Sequence, residues 1–311
     1  ASGDLIRAHA HYSIALILVL LGAFTKSAQF PFHFWLPHAM SAPTPVSAYL
    51  HSATMVKAGI FLMARFYPAL AGTDLWFLIV SLTGLITLLL GAYISLFKHD
   101  LQGLLAYSTI SHLGLITLLL GLNSDLAAVA AVFHVINHAI FKASLFMAAG
   151  IIDHETGSRD MRKLNGLWKY MPYTATLATV SALSMAGIPL LNGFLSKEMF
   201  FAETLSQSML GSLSWLIPLL ATLGAAFSVA YSFRFIHDVF FNGEPIDLPK
   251  TPKEPPRYMK VPVEILVALC LLVGIFPAFM VGDLLHMASF AVLSHDAPAY
   301  SLAIWHGFNI P

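Results

Sequence analysis

Long apolar runs with few charges dominate this sequence, for example near 74–97 and 102–122. A run of about 20 apolar residues is long enough to cross the hydrocarbon core of a bilayer as a helix. Lipid offers the backbone no hydrogen-bond partners, so a crossing segment must be a helix or a strand of a closed barrel. These runs do not alternate polar and apolar residues, as barrel strands do. The fold class is therefore predicted to be all-α, a polytopic transmembrane helix bundle.

The composition agrees with a membrane protein. Hydrophobic residues make up 58% of the 311 residues, charged residues only 10%, and the mean hydropathy is +0.76. A soluble domain would carry roughly a quarter charged residues. The formal net charge is zero, so no basic field indicates nucleic acid as a partner. The single cysteine, Cys270, lies in an apolar run and is interpreted as a packing residue.

About eight spans are predicted, and two of them are interrupted. The spans lie at roughly 9–29, 43–66, 74–97, 102–122, 125–152, 170–204, 210–241 and 260–292. Four prolines near 27–45 and the stretch AGIPLLNGF at 186–194 cannot continue a smooth helix. Broken helices at membrane depth are tolerated where they face protein or a water-filled cavity, and they recur at transporter ion sites. A purely structural kink is the alternative.

Basic residues define the orientation. They cluster in the connections at 153–169 and 242–260, whereas the connections near 67–73, 122–125, 205–212 and 293–298 contain no lysine or arginine. Because cytoplasmic loops carry the excess of lysine and arginine, the basic side is predicted to be the cytoplasm.

Both ends of the sequence are expected to be cuts in a longer protein. The chain starts without methionine close to a span, and it stops as another apolar stretch begins (YSLAIWHGFNIP). We therefore expect residues 1–298 to form one transmembrane module that is incomplete on its N-terminal side. Residues 299–311 would start a further membrane segment.

Four lysines cannot be assigned to a loop: Lys26, Lys57, Lys142 and Lys197. An ammonium group near the middle of a transmembrane helix costs about 2.5–3.5 kcal/mol on insertion scales. Such residues are candidate functional groups unless they reach the membrane interface with their long side chains.

The fifth span carries a polar row. His134, His138 and Lys142 are spaced by four residues, so they drift only about 40° per step around a helix and form a stripe about 12 Å long. Histidine titrates near physiological pH and a buried lysine can be brought toward it, which favours a proton relay. His134 and His138 also have metal-ligand spacing, but the next residue in line is a cation. A structural hydrogen bond is the third possibility.

Other polar residues in the spans give weaker signals. His51 and Lys57 lie six residues apart, so they face different directions on a helix. His112, with two serines nearby, is as consistent with a structural hydrogen bond as with a relay. Glu198 directly follows Lys197 and points about 100° away from it.

Three stretches together resemble a known family. They are TKSAQFPFHFWLPHAMSAPTPVSAYLHSATMVKAG, FHVINHAIFKASLF and AGIPLLNGFLSKE, which occur in this order. The chain, from about 10 to 241, is similar to the antiporter-like membrane subunits shared by respiratory complex I and the Mrp-type multisubunit Na⁺/H⁺ antiporters. The lysine in HSATMVKAG and the terminal YSLAIWHGFN resemble the A-subunit branch of the Mrp antiporters.

This resemblance implies two inverted repeats of five helices, each with one broken helix. It further implies that the relay lysine of the first broken helix pairs with a glutamate on an earlier helix, which this chain lacks. The relay residues that the resemblance assigns are Lys26 on the first broken helix, His51 and Lys57 on the next helix, His134, His138 and Lys142 as the connection, and Lys197 on the second broken helix.

The resemblance implies a transporter component rather than an enzyme. We expect protons to move through the Lys/His relay of a hetero-oligomeric antiporter in the bacterial inner membrane, coupled to Na⁺ efflux, with no cofactor and no bound metal. A proton-pumping membrane subunit of NADH:quinone oxidoreductase (complex I) is the alternative, and a membrane metalloenzyme that uses the histidines is a third. The expected partners are other subunits of the complex, H⁺, Na⁺ and the lipid bilayer.

Overall fold

In the computed structural model, which describes residues 2–303, the regular elements are helices. The α-helices of this range are α1 (Ser2–Arg7), α2 (Tyr12–Lys26), α3 (Trp35–His38), α4 (Thr44–Ser52), α5 (Ala58–Leu70), α6 (Asp74–Trp76), α7 (Leu82–Ser95), α8 (Leu101–Gly121), α9 (Asp125–Thr156), α10 (Met161–Leu164), α11 (Pro172–Ala186), α12 (Asn192–Ser206), α13 (Leu216–Ile236), α14 (Arg257–Ile275) and α15 (Pro277–Leu293). The prediction of an all-α chain is confirmed.

Several helices are long and apolar enough to cross a membrane. By length and composition they are Asp74–Ser95, Leu101–Gly121, Asp125–Thr156, Gly211–Phe241 and Arg257–Ile275, and Tyr12–Lys26 and Pro277–Leu293 are shorter apolar helices. The segment Asp74–Ser95 consists of α6 and α7 joined by a π-helical turn at Phe77–Ser81. Helix α13 continues into a similar turn at His237–Phe241. The chain is therefore a multi-pass membrane protein.

Helix α8 lies at the centre of the bundle, with nearly all of its side chains buried. It packs against α7 at very short range. A Cβ atom added to Gly84 would lie 2.3 Å from the backbone nitrogen of Leu118, and one added to Gly114 would lie 2.3 Å from that of Leu88. Glycine is required at both positions because close backbone approach is how transmembrane helices gain packing contact without a hydrophobic driving force.

Helix α9 is the longest in the described chain, with 32 residues. The Ser124 side chain accepts a hydrogen bond from Ala127 N at its start, and Gly157 ends it with φ +72°. Ser124 satisfies a free N–H of the first turn, and glycine adopts the left-handed conformation without strain. Because α4, α8, α11, α12 and α14 all pack against α9, its middle is enclosed by protein.

The two predicted breaks are present. Helix α2 ends at Lys26, and α4 starts only at Thr44, after a stretch of short helical turns. Helices α11 and α12 are separated by residues 187–191, where Gly187 has φ +91° and its N–H is bonded to Leu183 O and Ser184 O. A further interruption at 53–57 splits the predicted span at 43–66 into α4 and α5.

The single span predicted at 260–292 is wrong. It consists of two helices, α14 and α15, that meet at Phe276. A continuous helix of this length would measure about 50 Å, well beyond the hydrocarbon core. Pro277 lacks an N–H and is suited to the first position of a new helix, so it starts α15. Most of the predicted segment at 299–311 lies outside the described residues.

Candidate functional site

The polar row of α9 lies in the protein interior. His134, His138 and Lys142 are each 0% exposed. The Lys142 ammonium donates to Leu105 O (3.3 Å), to Met185 Sδ (3.3 Å) and to the hydroxyl of Ser108. All three acceptors are uncharged, so Lys142 is held by dipoles rather than by a carboxylate.

A third histidine completes this cluster, and it comes from α8. His112 Nδ1 lies 3.0 Å from His134 Nε2, and its ring is stacked on that of His134 with centroids 5.2 Å apart. The His138 ring centroid is 5.3 Å from that of His112. Sequence reasoning left His112 undecided because a contact between α8 and α9 cannot be derived from spacing along one helix. The small polar residues around it were the available signal.

Lys197 lies on α12, and its side chain reaches back across the break to the end of α11. Its ammonium donates to Met185 O (2.8 Å), Ala186 O (2.9 Å) and the hydroxyl of Ser228 on α13 (3.0 Å). The last carbonyls of a helix have no intrahelical donor and carry the negative end of the helix dipole. The break therefore creates a cation site at the C-terminus of α11, and Lys197 fills it.

Lys57 occupies the interruption between α4 and α5 in a similar way. It is 5% exposed, and its ammonium donates to Ser52 O at the end of α4 and to Val135 O of α9 (3.1 Å). His51, in the last turn of α4, is 1% exposed, and its ring lies beside Phe146 of α9. Both residues thus lie where the C-terminal end of α4 faces α9.

Lys26 is not part of this buried cluster. It is the last residue of α2, beside the first break, and its side chain is exposed on the described part of the chain. Of the four lysines that the sequence placed in spans, three are therefore enclosed, and Lys26 lies on an outer face of the bundle.

A cavity of about 630 Å³ opens on the basic side of the bundle and reaches the start of α4. Arg159 donates to Gln102 Oε1 (2.8 Å), and Gln102 Nε2 donates to Thr44 Oγ1 (2.6 Å). Thr44, Ser47 and His51, spaced by three and four residues, are buried polar residues on one face of α4. The cavity thus meets the start of a polar helix face that leads toward the middle of the bundle.

Surface pairs order the loops of the basic side. The side chain of Arg162 donates to Asp160 and holds the pKa of that carboxyl below its usual value. Lys169 donates to Glu244 of the 242–256 loop and likewise lowers the pKa of the Glu244 carboxyl. These pairs are solvent-exposed, so they position loops and add little to stability.

The site has the chemistry of proton transfer. Imidazoles accept and donate protons through two distinct nitrogens, and an amine held only by neutral acceptors can lose a proton without leaving an unpaired carboxylate. Among residues 2–303, no group of three His, Cys, Asp or Glu side chains is arranged to hold a metal ion.

Comparison with known proteins shows the family. Residues 4–226 match the family model described as NADH:quinone oxidoreductase/Mrp antiporter, TM. A probable K⁺/H⁺ antiporter A/B subunit of Rhizobium meliloti is 66% identical over the whole chain, which covers 31% of that relative. The Na⁺/H⁺ antiporter A subunit of Bacillus subtilis is 47% identical over 98% of the chain and 41% of the relative. These names agree with a transporter component rather than an enzyme.

Solved structures agree with the family match. The Mrp complex from Dietzia sp. DQ12-45-1b contains a chain with a TM-score of 0.89 and 40% identity, matched over 98% of this chain and 33% of its own length. Respiratory complex I from Thermus thermophilus has a TM-score of 0.80 at 24% identity over 93% of this chain and 62% of its own, which shows a shared fold. The chain spans about a third to two fifths of the curated relatives it matches. It belongs to the NADH:quinone oxidoreductase/Mrp antiporter transmembrane family.

Proposed function

We propose that this chain is the proton-conducting part of the A subunit of a monovalent cation/proton antiporter in the bacterial inner membrane. One observation carries the proposal: Lys57, Lys142 and Lys197 are buried, and each donates to uncharged protein atoms around the histidines of α8 and α9. Intramembrane ionisable groups are costly, and they mark ion pathways in transporters.

The relay consists of two lysine sites linked by the α9 row. Lys57, at the α4–α5 interruption, donates to Val135 O of α9, and His134 of the α9 row is hydrogen-bonded to Ser196, which precedes Lys197 on α12. Each ammonium is stabilised by carbonyl dipoles when it is charged, and each amine remains buried among the same groups when it is neutral. Loading one site disfavours charge at its neighbours, so a proton moves stepwise along the row.

His51 and Lys26 complete the proposed relay. His51 lies on the buried face of α4 that starts at the basic-side cavity, so it is assigned the entry step. Lys26 is assigned to a site that the longer protein completes, because the family resemblance pairs it with a carboxylate on an earlier helix. Its exposure in the described chain supports this assignment.

The names of the relatives indicate which cations this chain could help to transport. Their names specify Na⁺/H⁺ or K⁺/H⁺ antiport, and the relative with the K⁺/H⁺ name is 66% identical. Na⁺, expected from the sequence, and K⁺ are therefore the two candidate cations, and transport of both has to be measured. We propose assembly with other antiporter subunits, as the similarity to a chain of an Mrp complex supports.

The test uses the full-length protein in its assembled complex, in inside-out vesicles with a pH-sensitive dye. Addition of Na⁺ or K⁺ to energised vesicles is expected to release the proton gradient with wild type, and Lys197→Ala is expected to abolish this release. Lys163→Ala, at an exposed lysine of the short helix α10 on the basic side, is the control and is expected to retain it. Wild-type antiport in Lys197→Ala, with the complex assembled to the same level, would contradict the proposed relay.

A further inference from the structure

We propose that a groove between α5, α9 and α15 binds one acyl chain of an anionic phospholipid, whose phosphate group is held by Arg65. This lipid site is separate from the proposed proton relay. Lipid binding can be measured whether or not the chain conducts protons, so the two proposals can fail independently.

The groove is apolar and opens to the outside of the bundle. Its volume is about 710 Å³, its walls come from α5 and α15, and its floor comes from α9. The lining is apolar apart from Thr54, Lys57 and Arg65. Phe61 and Leu284, on the two walls, are 70% and 51% exposed. Because the surroundings of a membrane-spanning bundle are hydrocarbon, a groove of this kind accommodates a hydrocarbon chain.

The groove is too narrow for another helix. Helix α15 packs against both α5 and α9, so the walls and the floor contact one another. A helix with its side chains is about 10–12 Å across and cannot enter between helices that are already packed together. An extended acyl chain is much narrower and adapts to the side chains that it meets. The shape of the groove therefore favours a lipid tail over a helix from another part of the protein.

Arg65 is the cation of the groove that is free to bind a ligand. Lys57, at the inner end, already donates to Ser52 O and Val135 O. Arg65 is exposed, and within residues 2–303 its guanidinium has no hydrogen bond or ion pair. It lies eight residues after Lys57, about 12 Å along the wall. A cation in a membrane-spanning helix is costly unless it finds a partner, so Arg65 requires an anion from outside the described chain.

The phosphate of a lipid headgroup meets this requirement. Helix α5 ends at Leu70, so Arg65 lies within two turns of the helix end, and its long side chain reaches toward the headgroups. A guanidinium binds phosphate through two parallel N–H···O bonds, which fix the lipid as well as attract it. An anionic lipid is favoured over a zwitterionic one, because a headgroup amine would compete with Arg65 for the phosphate charge.

The bound chain has a structural consequence for Lys57. Lys57 lines the groove at its inner end. An acyl chain that fills the groove excludes water from this side of the lysine. The polar partners of its ammonium are then the carbonyls of Ser52 and Val135.

The first test uses the full-length protein in its assembled complex and a phosphatidylglycerol with a photoreactive acyl chain. Irradiation is expected to label peptides of α5 and α15 at residues that line the groove, mapped by mass spectrometry. Arg65→Gln is expected to weaken this labelling about tenfold, the order of effect of one hydrogen bond to a charged group. Arg257→Gln, at an exposed arginine that starts α14 on the basic side, is the control and is expected to keep it.

A second pair of variants tests the groove without changing a charge. Ala288 lines the groove, whereas Ala278 of the same helix is exposed outside it. Ala288→Leu is expected to abolish labelling of the groove, and Ala278→Leu is expected to retain it, with both complexes assembled at the wild-type level. Unlabelled phosphatidylglycerol is expected to compete about ten times better than phosphatidylcholine.

The possible outcomes are distinct. Absence of labelling in the groove of the wild-type complex would overturn the inference. Equal labelling in wild type and Arg65→Gln would assign Arg65 to a carboxylate elsewhere in the longer protein and would also overturn it. Equal competition by the two lipids would contradict the preference for an anionic headgroup. Because Arg65 is exposed, its replacement tests the site even where Ala288→Leu prevents assembly.

Discussion

Replacement of His134 separates its structural role from the role in proton transfer that we propose for it. His134 makes two buried hydrogen bonds, to His112 (3.0 Å) and to Ser196 (2.9 Å). A glutamine side chain has both a donor and an acceptor and can satisfy both partners. A phenylalanine side chain fills the space of the ring and satisfies neither.

The expected magnitudes follow from these partners. His134→Phe leaves a nitrogen of His112 and the hydroxyl of Ser196 without this partner in the interior. Each unsatisfied buried group costs about 1–3 kcal/mol, so the variant is expected to lose about 2–6 kcal/mol of stability. His134→Gln is expected to lose much less. This variant is still expected to stop proton transfer, because an amide neither gains nor loses a proton at neutral pH.

The assay combines thermal unfolding of the purified complex with cation-driven proton flux in vesicles. His134→Gln is expected to unfold close to the wild-type temperature with flux abolished, and His134→Phe to lose both stability and flux. His154→Gln, near the end of the same helix with a largely exposed side chain, is the control and keeps both. The reasoning is refuted if His134→Gln transports protons at the wild-type rate.

Two further predictions concern the scaffold. Gly114→Leu is expected to prevent close packing of α8 on α7, because a Cβ atom at this position would lie 2.3 Å from the backbone nitrogen of Leu88. Less assembled protein is then expected in the membrane, measured by quantitative immunoblot. Gly22→Leu is the control, since no atom lies within 4 Å of its Cβ position, and an equal loss in both variants would contradict the prediction. Glu254→Ala removes the carboxylate that accepts from the first N–H groups of α11 and is expected to cost about 1 kcal/mol in thermal unfolding, whereas the neighbouring Lys253→Ala is neutral. An unchanged unfolding temperature in Glu254→Ala would show that the loop contact does not stabilise α11.

The local features of the site could be predicted from the sequence. The i, i+4 spacing of the α9 residues fixes their common face once the segment is a helix, since helix geometry alone decides which side chains align. The stretch AGIPLLNGF predicted the break beside Lys197, because glycine and proline interrupt helices for local reasons.

Contacts between helices could not be predicted in this way. His112 meets His134 only through the packing of α8 on α9, and the acceptors of Lys197 come from α11 and α13. The exposure of Lys26 depends on which helices pack against α2, and the sequence of α2 does not determine this. The wrong prediction of one span over 260–292 could have been avoided from the sequence, because the run is too long for one crossing and Pro277 disfavours a helical conformation of the residue before it.

The central claim is that protons cross through the buried amines and imidazoles. Simultaneous measurement of proton and cation flux in proteoliposomes of the complex with Lys142→Met tests it most directly, because methionine keeps a long apolar side chain beside Met185 and removes the charge. We expect both fluxes to disappear together. Proton flux that persists at the wild-type rate in this variant would contradict the account.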